Sequence, residues 1–469
     1  MVAKKGKPDF TDGPIFWRLF LFTLPIITTG LLQVVYNMAD NIVVGQFSGD
    51  SEALAAVGQT GSFNAFVVNL FTGLSLGASI VAAQLFGAKR GKELSRTVGT
   101  AMILSYVSAA IFFIVPLILA RPILSLVVKA ELLEKSLTYI YIVCFGYPAL
   151  TIYNFAAAII RSVGDSKTPL IILSLSGLLN VLLNLLFVIA FRMSIVGVAL
   201  ATVISQYAAA IAVMIILMRH HDDNVRYDPR KPIFDKAIAK RILVCGVPAS
   251  VQSSIFAFSN MIITSAISTF PVETISGNTI ASNIDSLNYT AMNAFTASTM
   301  TFVAQNHGAK KPKRVWRTLL YALIQVVAVG VIVGYTELLL AQPITSLFVA
   351  EDTVNREMVI SEAITVMKSI LIPHFLSGIM NVLAGFLQGL GFATGASIGA
   401  VSSVLSVRFA WIYIFFPMNP GSIAWLYLCY PITWTVTILI DIAMIIYRTR
   451  QIKREEANAA TFAAKSLTE

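Results

Sequence analysis

The sequence predicts an all-α membrane protein in which twelve transmembrane helices form two pseudo-symmetric six-helix lobes. Three observations carry that prediction: a composition too apolar for water, basic loops that alternate along the chain, and an internal repeat.

Of the 469 residues, 57% are hydrophobic and only 12% are charged. A soluble domain uses about 25% charged residues to cover its surface, so lipid must cover much of this one. The mean hydropathy of +0.77 agrees. Cys144, Cys245 and Cys429 sit singly in apolar runs, without paired or metal-ligand spacing, and read as small core residues. The basic start MVAKKGKPDF precedes an apolar run that is too long for a signal core and lacks a small-residue cleavage site. The first helix is therefore expected to be retained.

A helix needs about 20 residues to cross a ~30 Å hydrocarbon core. Qualifying segments lie at 15–46, 53–86, 95–119, 133–160, 168–191, 195–218, 237–267, 277–307, 315–340, 357–390, 396–416 and 421–447. Pro25, Pro148, Pro248 and Pro373 fall inside apolar runs and predict kinks. The loops separate cleanly by Lys and Arg. One side receives the N-terminus with Arg18, AKRGKELSR at 88–96, the 161–167 turn, the 219–241 linker, KKPKRVWR at 310–317 and the C-terminal RTRQIKREE. The other side has only Arg121, Lys129, Lys135, Arg192, Arg356 and Lys368, and Arg408 falls inside a span. Positive charge marks the cytoplasmic side. The expectation is a multi-pass protein of the bacterial inner membrane with both termini cytoplasmic. The pI near 9.4 is then topogenic and needs no nucleic-acid partner.

AQLFGAKR at 83–90 recurs as AQNHGAKK at 304–311, and ARPILSLVVKAE at 120–131 as AQPITSLFVAED at 341–352, both offset by 221. Pro25 and Asn37 match Pro248 and Asn260 at offset 223, while Asn154 and Gly164 match Asn381 and Gly391 at 227. Each half has an even number of spans, so the halves are parallel repeats about an axis along the membrane normal. The expected division is an N-terminal lobe at 1–218, a cytoplasmic linker at 219–236, a C-terminal lobe at 237–448 and a tail at 449–469. Such halves suit a rocking carrier with its site between the lobes.

Gln33, Tyr36, Asn37 and Asp40 step by three or four and share one face of the first span. A carboxylate there is costly unless neutral, paired or hydrated, which suits a group that gains and loses a proton. The plain alternative is a carboxylate facing water at the outer end of the span. Asn180 and Asn184 share a face of the fifth span, and Thr202 and Gln206 repeat that spacing in the sixth. Their plain alternative is to tie neighbouring helices together. Asp285 opens the polar eighth segment with Asn288, either facing a cavity or hydrated at the outer surface. Arg408 is expected in a structural ion pair or carbonyl contact, Glu337 and Asp441 near span ends reaching the interface, and His374 as a hydrogen-bonded core histidine. No Walker sequence, nucleophile constellation or metal-ligand spacing is present. The chain therefore does not read as an enzyme, and its expected energy source is an ion gradient, with no cofactor.

PIITTGLLQVVYNMADNIVVGQFSGDSEALAAVG at 25–58, the two AQ-x-x-GAK segments and RSVGDSKTPLIILSLSGLLNVLLN at 161–184 resemble the multidrug and toxic compound extrusion (MATE) family. The resemblance covers essentially the whole length. It implies efflux of amphipathic organic cations in exchange for protons or sodium, with both lobes around a central cavity. Members similar to NorM carry acids in the seventh and tenth helices, and here 246–268 and 363–394 contain none. Asp40, whose repeat mate is the apolar Ile263, resembles instead the DinF-like branch, where the N-terminal lobe holds the coupling site. Archaeal relatives in that branch carry N-x-x-x-D in the fifth helix, whereas this chain reads Asn180 to Asn184.

The resemblance thus implies cation coupling at Asp40, Asn180, Asn184 and Thr202, with a sodium site at Asp40, Asn180 and Asn184 as one form of it. It places the substrate cavity at Gln33, Tyr36, Asn37, Gln206, Met261, Asp285, Asn288 and Met292. Phe63, Phe66, Phe155, Phe256, Phe258 and Tyr289 are further adaptable side chains that suit promiscuous binding, with lipid-facing packing as their plain alternative. Expected partners are small organic cations or amphipathic drugs and membrane lipid, with the monomer as the working unit. Two alternatives stand beside this reading. One is a lipid-linked oligosaccharide flippase of the same superfamily, and the other is a membrane-embedded transferase.

Overall fold

The computed structural model describes residues 9–47, 51–128, 130–349, 351 and 355–465. The side chains of 37–47, 51–56, 58, 59, 62, 126, 127, 261, 453, 456 and 459–465 lie outside that description.

Among the described residues, twelve long helical units follow one another, with one short helix, Ala341–Ser346, between the ninth and the tenth. They are α1 (Ile15–Phe47), α2 (Ser51–Gly87), α3 (Gly91–Val127), α4 (Ala130–Cys144 and Tyr147–Ser162), α5 (Lys167–Asn184, extended by a π-turn at Leu185–Ala190) and α6 (Ser194–Met218). The second half has α7 (Lys236–Ile267), α8 (Val272–Gly308), α9 (Pro312–Leu339), α10 (Arg356–Leu371 and His374–Gly389), α11 (Ala393–Ala410, extended by a π-turn at Trp411–Phe415) and α12 (Ile423–Tyr427 and Cys429–Lys465). All twelve predicted spans have a helix.

Ten of these units are long and apolar enough to cross a membrane, and α4 becomes an eleventh when its two segments, bent by 45°, are joined. The remaining unit, α8, is as long as its repeat mate α2 but polar. Its polarity follows from its position. It packs against α1, α2, α9 and α10, so Asn288, Ser298, Thr299, Gln305 and Asn306 face protein and not lipid. On α5, by contrast, Ile171, Leu175, Leu178 and Leu182 point outward, as lipid contact requires.

The repeat persists in the irregularities. Both fourth units break at the same place, both fifth units end in a π-turn, and Gly164 and Gly391 turn the chain with φ of +96° and +77°. Lys89 and Lys310, which follow the AQ-x-x-GA segments, share φ of 57° and 55°.

The halves meet along α2 against α7 and α8, and along α1 against α8. The start of the chain reaches across this interface. Phe10, Ile15, Leu19 and Phe22 join the core of the second half with Phe295, Phe302 and Phe386, and the Phe10 ring stacks on Phe302 at 3.9 Å. Burying one such side chain stabilises by about 1.5–3 kcal/mol. Arg314 donates to the Phe10 and Gly13 carbonyls at 3.0 Å each, and Lys311 donates to the Thr11 carbonyl at 2.9 Å.

Candidate functional site

A cavity of about 770 Å³ lies between the halves. The repeat determines its walls, because residues lining it come in mated pairs. From α1 and α7 these are Thr29 with Gln252 and Gln33 with Phe256, from α2 and α8 Thr72 with Asn293, and from α4 and α10 Asn154 with Asn381 and Arg161 with Gln388. Amides and hydroxyls recur along a wall that is otherwise apolar and includes Phe256 and Tyr289. Arg161 is the one charged residue among the described lining. By sequence it belongs to the basic 161–167 turn.

The end of the bundle that carries both termini is closed by reciprocal contacts. Gln84 Nε2 donates to the Gly389 carbonyl at 3.1 Å, and its repeat mate Gln305 donates from Nε2 to the Ser162 carbonyl at 2.7 Å. Gln305 also accepts from the Phe10 amide at 3.3 Å. The helices approach so closely here that a Cβ on Gly87 would run into the Gln305 carbonyl, and one on Gly308 into the Gln84 carbonyl.

Three of the candidate coupling residues, Asn180, Asn184 and Thr202, lie together. Asn180 Nδ2 donates to Thr202 Oγ1, and Asn184 Nδ2 donates to Asn180 Oδ1, both at 3.4 Å. Tyr36 donates from its hydroxyl to the Ser174 carbonyl at 3.1 Å, and its ring lies on Gly177, so α1 is seated on α5 directly below the turn that carries Asn37 and Asp40. The side chains of Asp40, Asn37 and Met261 lie outside the described residues. Gln33 lines the central cavity. Gln206 packs against Gly146 at the bend of α4, inside its own half.

A second cavity, of about 270 Å³, lies in the second half and adjoins the central one, with which it shares Gln252, Phe256, Asn260, Tyr289, Asn381 and Ala384. Asp285, His374, Arg408 and Asp441 all line it. His374 Nδ1 stands 3.1 Å from Asp285 Oδ1, an ion pair when the imidazole is protonated. The mated pair in the first half is neutral, with the Tyr147 hydroxyl donating to Asn64 Oδ1 at 3.0 Å. Arg408, 4% exposed, donates to Asn260 Oδ1 at 2.6 Å and lies over the Tyr430 ring at 4.8 Å. Of the two expected roles, an ion pair or a carbonyl contact, it makes the second, on the Asn260 side-chain carbonyl.

Asp441 requires a correction, since burial keeps it away from the interface: it is 0% exposed, with neither carboxylate oxygen hydrogen-bonded among the described residues. Glu337, partly exposed near the end of α9, accepts from Asn288 Nδ2 at 3.5 Å. Asn288 and Met292, expected at the substrate cavity, are fully buried and line neither cavity, because α8 turns that face toward α9 and α10.

The MatE family model matches residues 25–186 and 248–414, one block in each half. The chain is 29% identical over 310 residues to the probable multidrug resistance protein YpnP of Bacillus subtilis, covering 66% of this chain and 68% of that protein. It is 23% identical over 354 residues to a FAD transporter of Shewanella oneidensis, covering 73% and 76%. A solved MOP superfamily transporter from Pyrococcus furiosus superposes with a TM-score of 0.87 at 21% identity, covering 96% of this chain and all of that one. That likeness establishes the fold.

Proposed function

The chain belongs to the MatE family of multi-pass membrane transporters, and on that premise we propose that it is a secondary active multidrug efflux antiporter. It exports cationic or amphipathic organic compounds in exchange for protons or sodium. The observation that carries this reading is the central cavity, walled by mated residues of both halves and closed at the terminal end by contacts those halves exchange. Its volume of about 770 Å³ suits a drug-sized ligand. Bonds that mirror one another across a pseudo-twofold axis are what a rocking exchange between two openings needs to break and remake. The basic loops support placing the closed end in the cytoplasm of a bacterial cell, with lobes at 1–218 and 237–448 and the monomer as the working unit.

In this reading the coupling ion binds at Asp40 of α1 with Asn180, Asn184 and Thr202. A ligand shifts an equilibrium only by its differential affinity for the two states. Protonation from outside therefore has to favour the packing of α1 on α5 and α6 that releases substrate. One observation favours a second reading, with coupling through the other half. There the Asp285–His374 pair and Asp441, with neither carboxylate oxygen hydrogen-bonded among the described residues, border one cavity.

The test is ethidium efflux from energised vesicles under a pH gradient or a sodium gradient. Proton-driven efflux lost in Asp40→Asn supports the first reading. Drive by sodium alone moves the ion to the carbonyl and hydroxyl groups of Asn180, Asn184 and Thr202. No flux under either gradient overturns drug antiport and promotes a flippase.

A further inference from the structure

Among the described residues, the mated walls of the central cavity are electrically alike except at one place. Where the second half has the neutral Gln388 in the last turn of α10, the first half has Arg161 in the last turn of α4. Arg161 is half-buried, with no ion pair or side-chain hydrogen bond among the described residues. The acid nearest it in sequence is already occupied. Asp165 Oδ1 accepts from the Lys167 and Thr168 amides at 3.0 and 2.9 Å, and Oδ2 from the Thr168 hydroxyl. A guanidinium in a partly dehydrated slot gains most from an anion that it can grip with two parallel bonds. Other groups lining the cavity suit the same partner, since Asn381 and Gln388 offer amide donors, and Asn154 Nδ2 retains a second hydrogen beside its bond to the Leu150 carbonyl.

We propose that the base of the central cavity is an anion subsite, in which Arg161 holds the carboxylate, sulfonate or phosphate of an amphipathic substrate. The inference rests on the efflux reading for its substrate and extends it to molecules that carry an acidic group. The site lies one residue from Ser162, whose carbonyl takes the Gln305 bond of the closed end. Bound anion and seal therefore meet on one turn of helix.

The test is equilibrium binding of carboxyfluorescein to the purified full-length chain, with ethidium as the cationic companion, for wild type, Arg161→Lys and Arg161→Gln. Arg161→Gln makes the two walls alike. The expected result is carboxyfluorescein affinity at least tenfold weaker in Arg161→Gln and intermediate in Arg161→Lys, with ethidium affinity held or improved. Equal carboxyfluorescein affinity in wild type and Arg161→Gln overturns the proposal, as does no saturable binding by wild type. A parallel loss of both dyes also overturns it, by assigning Arg161 a structural role at the helix end. Binding is read without a gradient. A chain that binds carboxyfluorescein through Arg161 but moves no dye retains the subsite and loses the antiport.

Discussion

Gln84 and Gln305, 221 residues apart, make the same hydrogen bond in opposite directions across the interface between the halves, to Gly389 and to Ser162. The two acceptors are themselves repeat mates. One structural device, duplicated with the chain, thus closes the terminal end of the bundle, and glycines at 87 and 308 let the helices come close enough to form it.

Gln305→Leu should therefore loosen that end. The change removes a donor to Ser162 and an acceptor for Phe10, and leaving such buried groups unpaired costs about 1–3 kcal/mol. At about 1.4 kcal/mol per tenfold, the open population rises by roughly tenfold. Gly308→Val should act the same way by overpacking, at about 1–3 kcal/mol. Spin labels at the exposed mates Lys92 and Lys313 would report it by electron–electron resonance as a longer distance component. A distribution unchanged from the parent in both variants would count against the seal.

Asp40→Asn is expected to cut efflux driven by a pH gradient by at least about tenfold, the effect of losing one positioned proton-binding group of ~1.4 kcal/mol or more. Ethidium binding without a gradient should remain within about threefold of the parent. Initial rates against external pH make the comparison. A variant that follows the wild-type pH profile would remove Asp40 from the mechanism.

Asp441→Asn addresses the second cavity through stability. An ionised carboxylate with no partner is costly to bury, and an amide of the same shape removes that cost. The variant should melt at the same temperature as the parent or higher in detergent at pH 8. A drop of several degrees would mean that the carboxylate holds a cation or proton the fold depends on. Transport should then be lost with it.

The chain start offers a test of the basic loop. Arg314 bonds the Phe10 and Gly13 carbonyls and Asn306, whereas Asp12 adds one exposed pair with Lys311 at 2.8 Å. Arg314→Ala should raise hydrogen exchange over residues 10–16 by about tenfold, the yield of ~1.4 kcal/mol. Asp12→Asn should raise it by no more than about fivefold, because exposed ion pairs contribute about 0–1 kcal/mol. The hydrogen bond and charge of Lys311 hold the Asp12 carboxyl below its usual range. The pair's contribution is therefore complete above the unfolded value of about 3.9 and fades only as pH falls through the lower folded value. Protection at residues 10–16 should stay level between about pH 5 and 8. A loss already at pH 5 would contradict the pairing.

The sequence by itself determined the helices, their order and their pseudo-symmetry. Hydropathy over twenty residues, loop charge and a repeat at offsets of 221 to 227 are properties of consecutive residues, whereas grouping Asn180, Asn184 and Thr202 rested on the resemblance to the family. Only the tertiary structure decided which way each helix turns about its own axis. Neighbouring residues on a helix point about 100° apart, so one step separates lipid from cavity, and non-local packing chooses between them. It sent Asn288 and Met292 into the core, buried Asp441, and set His374 against Asp285 from 89 residues away. By the same choice Arg161, which hydropathy and loop charge class with the topogenic residues, faces the central cavity.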